Sequence, residues 1–253
     1  KSKVMDHTIF YESRDGKSVT DSPYAIFKYL LHHPEFQHFK HIWSINHAKE
    51  LERVIANYKD LKNVIFVKRN SNEYLKWLAT SKYLINNSTF QPFFIPKKEQ
   101  VYINTWHGTP LKRMGFDIPG NPAHSQNVVR NFLSADYLLS PNDHTTKMFL
   151  NSYKLNGLYN GEIIQEGYPR IDLTYHTDSD KFYSFLTQLG LEIDKNKQTI
   201  LYAPTWKGTN VSKAKNDMFQ IISEMTYLRK KAGNEYNLLI KVHPFLYNQA
   251  KKF

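Results

Sequence analysis

Short apolar runs rich in β-branched and aromatic residues alternate along the chain with longer amphipathic segments. Short runs of this kind predict strands, and longer segments with apolar residues every three or four positions predict helices. The strands predicted in the first part of the chain are Thr8–Tyr11, His41–Ile45, Val64–Val67, Tyr83–Ile85, Val101–Trp106, Tyr137–Leu139 and Ile163–Gln165. This order is typical of an α/β lobe with a parallel sheet and right-handed crossovers.

Helices are predicted between these strands from apolar spacing and from capping residues at their starts. In the first helix, Asp21 or Ser22 is expected to cap the amino terminus, with Pro23 in the first turn. The predicted helices are Pro23–Leu31, Lys49–Tyr58, one capped by Ser71, one near Ser125–Leu133 and one capped by Asn142 or Asp143.

The remainder of the chain predicts a second, smaller lobe. Its predicted helices are Lys181–Leu189 and Met218–Lys231, and its predicted strands are Thr199–Tyr202 and Leu238–Val242. Two strands are too few for a stable doubly wound sheet, so we expect this lobe to be truncated in the chain. We place the domain boundary at Gly167-Tyr168-Pro169, which divides the chain into residues 1–168 and 169–253.

A net charge of +11 and a pI near 9.5 indicate an anionic partner. Nucleic acid, an acidic membrane face and a phosphate-rich substrate all meet that description, and a basic surface kept for solubility is the alternative. The lysines and arginines are spread without an arginine-rich block, and no nucleic-acid-binding signature occurs. Nucleic acid is therefore the least favoured partner.

Several common kinds of site are absent from the sequence. The chain has no cysteine, so it has no disulfide framework, thiolate metal site or cysteine nucleophile. No phosphate-binding G-x-x-x-x-G-K-[ST] loop, G-x-S-x-G elbow or H-E-x-x-H zinc helix occurs. Histidines such as His41 are therefore expected to be solvated or to lie in the core. No run of about eighteen apolar residues and no signal peptide is present.

The strongest local signal for chemistry is the segment Asn104 to Arg113, NTWHGTPLKR, at the end of a predicted strand. Ligands bind at the carboxyl ends of strands in open α/β sheets, so His107 lies where a general base is expected. The candidate substrate or donor contacts around it are Thr105, Gly108, Thr109, Lys112 and Arg113. The alternative is a structural histidine bonded to a neighbouring carbonyl, with the basic side chains solvated.

Three further segments follow predicted strands with polar or basic residues. Lys241 and His243 are expected on one side of a pleat, where they could hold a diphosphate, although polar residues at a strand end also simply face water. Thr205 and Lys207 are candidate phosphate contacts after another strand. Arg170 is a further candidate, in a turn between the lobes where it could instead pair with Asp172.

The segment Phe90 to Lys98, FQPFFIPKK, combines aromatic residues with two lysines. Exposed aromatic side chains beside lysines suit a membrane interface. A loop whose phenylalanines cover the core explains the same sequence.

Taken together, the motifs resemble those of the CDP-glycerol glycerophosphotransferase family, the teichoic acid polymerases and primases. The resemblance rests, in chain order, on FYES at Phe10 to Ser13, NTWHGTPLKRMGFD at Asn104 to Asp117, LSADYLLSPN at Leu133 to Asn142, GYPRID at Gly167 to Asp172, YAPTW at Tyr202 to Trp206 and KVHP at Lys241 to Pro244. It implies a GT-B architecture of two Rossmann-like lobes, with the acceptor on the first and the nucleotide donor mainly on the second.

The same resemblance implies an enzyme that moves glycerol phosphate, or a related polyol phosphate, from CDP-glycerol or CDP-ribitol to a lipid-linked teichoic acid or capsule-type polymer. His107 then corresponds to the catalytic base and His243 to a histidine that contacts the donor phosphates. No cofactor and no metal are expected. Family members are peripheral proteins of the cytoplasmic membrane face. The rival functions are a GT-B glycosyltransferase that uses a nucleotide sugar, and a non-catalytic basic module that binds anionic membrane or polymer.

Overall fold

The structure is a computed structural model that describes residues 2–120, 122–204 and 218–242. The chain divides into two compact units, Lys1–His176 and Thr177–Phe253. This division lies later than the boundary predicted at residue 168, because the helix that begins at Pro169 packs against the first helix of the chain. The first unit therefore contains the whole of the GYPRID segment.

A parallel sheet of seven strands forms the centre of the first unit, in the order β3-β2-β1-β4-β5-β6-β7. Its strands are β1 Met5–Glu12, β2 Lys40–Ile45, β3 Val64–Lys68, β4 Ser81–Asn86, β5 Val101–Asn104, β6 Tyr137–Leu139 and β7 Glu162–Ile164. All seven predicted strands are confirmed, and so is the α/β class. Because all neighbours are parallel, every strand ends at the same edge, where loops can converge on one site.

The helices of the first unit connect these strands. They are α1 Asp21–His32, α2 Glu52–Ala56, α3 Asn72–Thr80, α4 Gln126–Ser134, α5 Asp143–Lys147 and α6 Pro169–Tyr175. Two predicted caps are confirmed: Ser71 Oγ accepts from the Tyr74 N–H at 3.2 Å, and Asn142 Oδ1 accepts from the Thr145 N–H at 2.9 Å. Each satisfies an amide that a helix start otherwise leaves unpaired.

The start of α1 differs from the prediction. Thr20 is the residue before the helix and makes no side-chain cap, while Asp21 is already the first helical residue. Asp21 has φ +67°, in the left-handed region, and its Oδ1 accepts from the Ser22 N–H at 2.7 Å. Neither Asp21 nor Ser22 is therefore the cap that was predicted, although the Asp21 carboxylate does meet the helix amino terminus.

The predicted helix Lys49–Tyr58 is shorter and less regular than its pattern indicates. A 3-10 turn at Ala48–Leu51 precedes α2, which spans only Glu52–Ala56. Asn57 and Tyr58 continue with turn-like bonds to the carbonyls of Val54 and Ile55. The prediction was too long because apolar spacing alone does not distinguish a continuous α-helix from turns that bury the same residues.

Two apolar clusters cover the two faces of the sheet, since side chains alternate along each strand. On one face, Tyr11 and Trp43 pack with Phe27 of α1. On the other face, Phe10 packs with Tyr74 of α3, and Phe132 of α4 belongs to the same cluster. The sheet is thus buried on both faces, and the residues that end β1, β4 and β5 are also buried, beneath the loops that follow them.

In the second unit, β8 Gln198–Tyr202 pairs in parallel with β9 Tyr236–Ile240. The helices α7 Ser179–Gln188 and α8 Met218–Ala232 accompany them, so both predicted helices and both predicted strands are confirmed. The last strand ends at Ile240, two residues before its predicted end, which leaves Lys241 beyond the strand. Among the helices that the structure describes, none is both long and apolar enough to cross a membrane.

Candidate active site

The segment after β5 crosses the carboxyl edge of the seven-stranded sheet. β5 was predicted to continue to Trp106 but ends at Asn104, because Trp106 has φ +51° and leaves the strand direction. A left-handed backbone is uncommon for a bulky residue and costs about 1–3 kcal/mol, so the surrounding contacts must hold it. Such conformations concentrate at functional sites.

The indole of Trp106 supplies those contacts. Its side chain is buried, and its ring packs edge-on against Phe132, Phe149 and Tyr153 at centroid distances of 5.2, 6.0 and 6.0 Å. The backbone N–H of Trp106 donates to Asn104 Oδ1 at 2.9 Å. With the indole anchored inward, the chain reverses and leaves His107 exposed at the sheet edge.

The His107 imidazole is oriented by a main-chain carbonyl. Its Nδ1 lies 2.7 Å from the carbonyl oxygen of Asn87, the residue that follows β4. A carbonyl can only accept, so Nδ1 donates and the neutral ring carries its proton there. Nε2 then presents a lone pair, as a general base requires.

The surroundings of His107 lower the pKa of its imidazole below the ordinary value of 6.5. Desolvation by the neighbouring protein is the largest cause, and the positive charges of Arg14 and Arg170 act in the same direction. The bond to the Asn87 carbonyl and the charge of Asp21 oppose it. The ring is therefore neutral, and able to accept a proton, at neutral pH.

A buried network of amides and a phenol lies under the loop. We call Asn86, Tyr102, Asn104 and Asn131 the amide network. The Tyr102 hydroxyl lies 3.0 Å from Asn86 Oδ1 and 3.1 Å from Asn131 Oδ1, and Asn104 Nδ2 donates to it at 3.0 Å. Since Asn104 also accepts from the Trp106 N–H, the network fixes the backbone that presents His107.

Sequence reasoning missed the amide network. A signal was present, because Asn86 and Asn104 end otherwise apolar strands. Buried asparagines need partners, so such positions predict a polar cluster at the strand ends. The pairing register places Asn86 directly beside Asn104, which the sequence does not reveal.

Several buried polar atoms near the loop make no hydrogen bond to another described residue. They include Ser13 Oγ, Ser22 Oγ, Asn86 Nδ2 and Asn87 Nδ2. Arg14, which follows Ser13, donates its N–H to Asn87 Oδ1 at 2.9 Å, so the loop after β1 is tied to the residue that orients His107. Folded proteins leave few such atoms unpaired.

Of the predicted substrate or donor contacts around His107, one is buried and the others are exposed or half-buried. Thr105 is fully buried, and its hydroxyl lies 3.3 Å from the Asn86 carbonyl and 3.2 Å from the Trp106 carbonyl, so it supports the loop from within. Thr109, Lys112 and Arg113 are exposed. Gly108 is half-buried, and a Cβ there would meet Arg170 Nη2 only at 4.0 Å, so packing alone does not require glycine.

Arg170 lies in a different setting from the one predicted. Pro169 begins α6, so GYPRID opens a helix of the first unit and is not a turn between the lobes. Arg170 forms its ion pair with Asp21 at 3.1 Å, on α1, and not with Asp172. The sequence could not show this contact because the two residues are 149 positions apart.

A cleft of about 620 Å³ opens beside the loop, at the carboxyl ends of β6 and β7. Thr109, Tyr168, Arg170 and Asp172 contribute to its wall. The cleft belongs entirely to the first unit, next to the exposed His107. It offers a substrate space beside the segment that carries His107, although the imidazole itself is not part of the cleft wall.

The remaining predicted site residues are in the second unit. Thr205, Lys207 and His243 lie outside the described residues. Lys241 is exposed, and its N–H donates to the Tyr202 carbonyl at 3.0 Å. Among the residues that the structure describes, no three histidine, aspartate or glutamate side chains are grouped as metal ligands would be.

The loop Phe90 to Lys98 fits both of its predicted interpretations in part. Phe90 and Phe94 are buried in the core, as a covering loop requires. Phe93 and Ile95 are 65% and 78% exposed, close in sequence to Lys97 and Lys98. Phe93 and Ile95 therefore form a small exposed apolar surface, followed in the sequence by two positively charged lysines.

The motifs and the sheet agree with a family comparison. The family model for CDP-glycerol:poly(glycerophosphate) glycerophosphotransferase matches residues 1–253. The chain belongs to this family. The resemblance inferred from the motifs is thereby confirmed.

Curated relatives in this glycerophosphotransferase family are enzymes of teichoic acid synthesis. The teichoic acid poly(glycerol phosphate) polymerase of Bacillus subtilis strain 168 is 32% identical over 249 residues, which are 95% of this chain and 31% of the relative. The teichoic acid glycerol-phosphate transferase of Staphylococcus aureus strain NCTC 8325 is 29% identical over 93% of this chain and 59% of the relative. The chain thus spans between about a third and three fifths of these relatives.

Solved structures of the wall teichoic acid polymerase TagF share the fold. One matches with a TM-score of 0.74 and 29% identity, over 97% of this chain and 58% of the TagF chain. A histidine-to-asparagine variant of TagF soaked with CDPG matches with a TM-score of 0.77 and 27% identity, over the same shares. These matches confirm the GT-B class predicted from the motifs.

Proposed function

We propose that this member of the glycerophosphotransferase family moves glycerol phosphate from CDP-glycerol to the terminal hydroxyl of a lipid-linked teichoic acid or capsule-type polymer. A related polyol phosphate, delivered by CDP-ribitol, is the variant of the same reaction. The observation that carries the proposal is the placement of His107: it lies at the carboxyl edge of the sheet with Nδ1 bound to the Asn87 carbonyl and Nε2 left as the acceptor.

In the proposed reaction, an acceptor hydroxyl attacks the donor phosphorus that bears the glycerol. The hydroxyl proton passes to His107 Nε2, a new oxygen–phosphorus bond forms, and the bond to cytidine monophosphate breaks with its electron pair on the leaving group. The lowered pKa of His107 keeps the base unprotonated at neutral pH. General-base catalysis of this kind contributes about 10²- to 10⁴-fold to the rate.

The rest of the catalysis is assigned to positioning and to neutralisation of the charge on phosphate. The exposed Lys112 and Arg113 belong to the same segment as His107 and provide cationic donors on the first unit. On the second unit, the donor contacts of the proposal are His243, Lys241, Thr205 and Lys207. Arg170 contacts the donor in this proposal only with the part of its guanidinium that its ion pair leaves exposed.

The proposed localisation is the cytoplasmic face of the bacterial membrane, with peripheral attachment. The net charge of +11 favours an anionic lipid surface, and Phe93 and Ile95 provide exposed apolar side chains beside two lysines. The lipid-linked acceptor has its anchor in that surface, so attachment would bring acceptor and enzyme together.

The test compares His107→Ala with His124→Ala in the intact protein, with labelled CDP-glycerol and a lipid-linked acceptor. His124 is a matched control because it is an exposed histidine on a different segment. We expect His107→Ala to lower turnover by about 10²- to 10⁴-fold, and His124→Ala to leave it near the wild-type value. Near-normal turnover in His107→Ala would remove the base from the mechanism.

The mass of the product separates the rival functions. A glycerol or ribitol phosphate increment on the acceptor supports the proposal, whereas a hexose increment identifies a glycosyltransferase. Binding to anionic vesicles that is salt-sensitive, unaffected by His107→Ala and accompanied by no transfer would indicate a binding module.

A further inference from the structure

We infer that Asp21 and Arg170 are positioning residues for the proposed base, holding the His107 backbone in place from two helices of the first unit. We call this pair the Asp21–Arg170 clamp. Its catalytic consequence rests on the proposed function, but its contacts do not.

The clamp joins three separate segments at the carboxyl edge of the sheet. Nη1 of Arg170, on α6, lies 3.2 and 3.1 Å from the two carboxylate oxygens of Asp21 on α1. The same nitrogen donates to the carbonyl oxygen of His107 at 2.8 Å. One guanidinium nitrogen therefore ties α1 and α6 to the residue that carries the imidazole.

Asp21 is held in a conformation that few residues adopt. Its φ of +67° is in the left-handed region, which disfavours side chains other than those of asparagine and aspartate. Its carboxylate accepts from the Ser22 N–H at 2.7 Å and meets the positive end of the α1 dipole. Its side chain is only 13% exposed, so the charge is also shielded from water.

Arg170 is likewise fixed on more than one side. Its guanidinium carbon lies 4.7 Å from the centroid of the Tyr168 ring, a cation–π contact. His107 is consequently held at two points: Asn87 binds its Nδ1, and Arg170 binds its carbonyl. With its ring bound at one point and its backbone at the other, His107 keeps Nε2 in one direction, which is what a base needs before an acceptor arrives.

Three charged side chains face His107: Asp21 on α1, Arg14 after β1, and Arg170 on α6. The Asp21 carboxylate raises the pKa of the imidazole, whereas the two arginines lower it. Removing one member of the clamp should therefore move the His107 pKa in the direction opposite to removing the other. This opposition shows whether the charges of the clamp lie beside the imidazole, and the transfer rate shows whether the clamp positions it.

The first experiment measures the His107 titration directly by NMR in the intact protein. Its signal is assigned by its loss in His107→Gln. We expect Asp21→Asn to lower the pKa of His107 and Arg170→Gln to raise it, with Arg170→Lys, which retains the charge, close to the wild type. Far-ultraviolet circular dichroism on each variant verifies the fold.

The second experiment measures steady-state transfer from CDP-glycerol. Displacing a catalytic group by about 1 Å can cost about 10²-fold in rate, so we expect Asp21→Asn and Arg170→Gln to lower kcat by about 10- to 100-fold. The KM for the donor should change less than kcat, and Arg170→Lys should recover most of the loss.

The two readouts separate this inference from the proposed function. Opposite shifts of the His107 pKa in a protein without transfer activity would support the clamp and contradict the proposed function. An active wild type whose His107 pKa moves in neither variant, or in the same direction in both, would overturn the clamp. Unchanged kcat in both variants would overturn it as well.

Discussion

Two histidines of the first unit, His107 and His41, have a lowered pKa for the same main reason but lie in different surroundings. Desolvation is the largest cause in both, and it lowers the pKa of His41 to about 4. His107 is exposed after β5, with Nδ1 bound to a carbonyl. His41 is fully buried on β2, and its Nδ1 lies 3.0 Å from the Tyr11 hydroxyl.

The comparison shows that a perturbed pKa alone does not identify a catalytic residue. His41 packs edge-on against Phe27 at 5.2 Å and stacks near Tyr11, and its Nε2 makes no hydrogen bond to any described residue. No substrate can reach it. The pKa of His107 is also lowered, but its ring is exposed at the sheet edge, close to cationic side chains and the cleft. Exposure, and not the pKa, therefore marks His107 as the candidate base.

The largest expected effect is on stability, and it should separate the two histidines. His41→Ala removes a fully buried ring from an aromatic cluster, so we expect the free energy of unfolding to fall by about 3–5 kcal/mol. His107→Ala removes an exposed ring with one main-chain bond and should cost no more than about 1 kcal/mol. Urea denaturation of both variants measures the difference, and similar losses would break the comparison.

The second effect is a pH dependence that belongs to His41. Above the ordinary pKa of 6.5, both folded and unfolded protein hold His41 neutral. As the pH falls from 6.5 towards 4, His41 binds a proton in the unfolded chain but stays neutral in the folded protein. The free energy of unfolding therefore falls by up to about 3 kcal/mol.

The measurement is the free energy of unfolding at several pH values, in the wild type and in His41→Gln. Glutamine keeps a polar side chain near the Tyr11 hydroxyl but does not titrate. Groups that titrate in both proteins, such as Glu12, whose pKa burial raises, cancel in the difference. A wild type that loses no more stability than His41→Gln over this interval would refute the assignment.

The smallest effect concerns the amide network that holds the His107 segment. Tyr102→Phe removes the hydroxyl at its centre and leaves amide groups of Asn86, Asn104 and Asn131 with fewer partners. We expect a loss of about 1–3 kcal/mol in stability. Tyr11→Phe, on the opposite face, is the control: its stability falls too, but its transfer rate should stay closer to the wild type. Equal transfer rates for the two variants would contradict a role for the network in presenting the base.

Much of the fold was predictable because it follows from local patterns. All seven strands of the sheet were found from apolar runs, and the caps at Ser71 and Asn142 from residue type. The misjudged parts were those in which tertiary contacts override local preference. Trp106 ends β5 early because its indole packs inward, and Asp21 begins α1 in a left-handed conformation because Ser22 and Arg170 bind its carboxylate.

The sequence predicted the central histidine of the candidate site but not the residues that hold it in place. His107 followed from its place after an apolar strand, in a motif with glycine, proline and two cations. Asn87, Tyr102 and Asp21 did not, because each acts through a contact between distant segments. Arg170 was found as a residue but not in its pairing.

The sequence by itself determined the α/β order, the family and the histidine proposed as the base, since strand patterns and contiguous motifs are local properties of a chain. Only the tertiary structure decided which nitrogen of that histidine is free, what lowers its pKa and what holds its backbone. Those properties arise from groups on β4, α1 and α6 that meet at the carboxyl edge of a parallel sheet. Register and helix packing bring them together, and neither can be read from the order of residues alone.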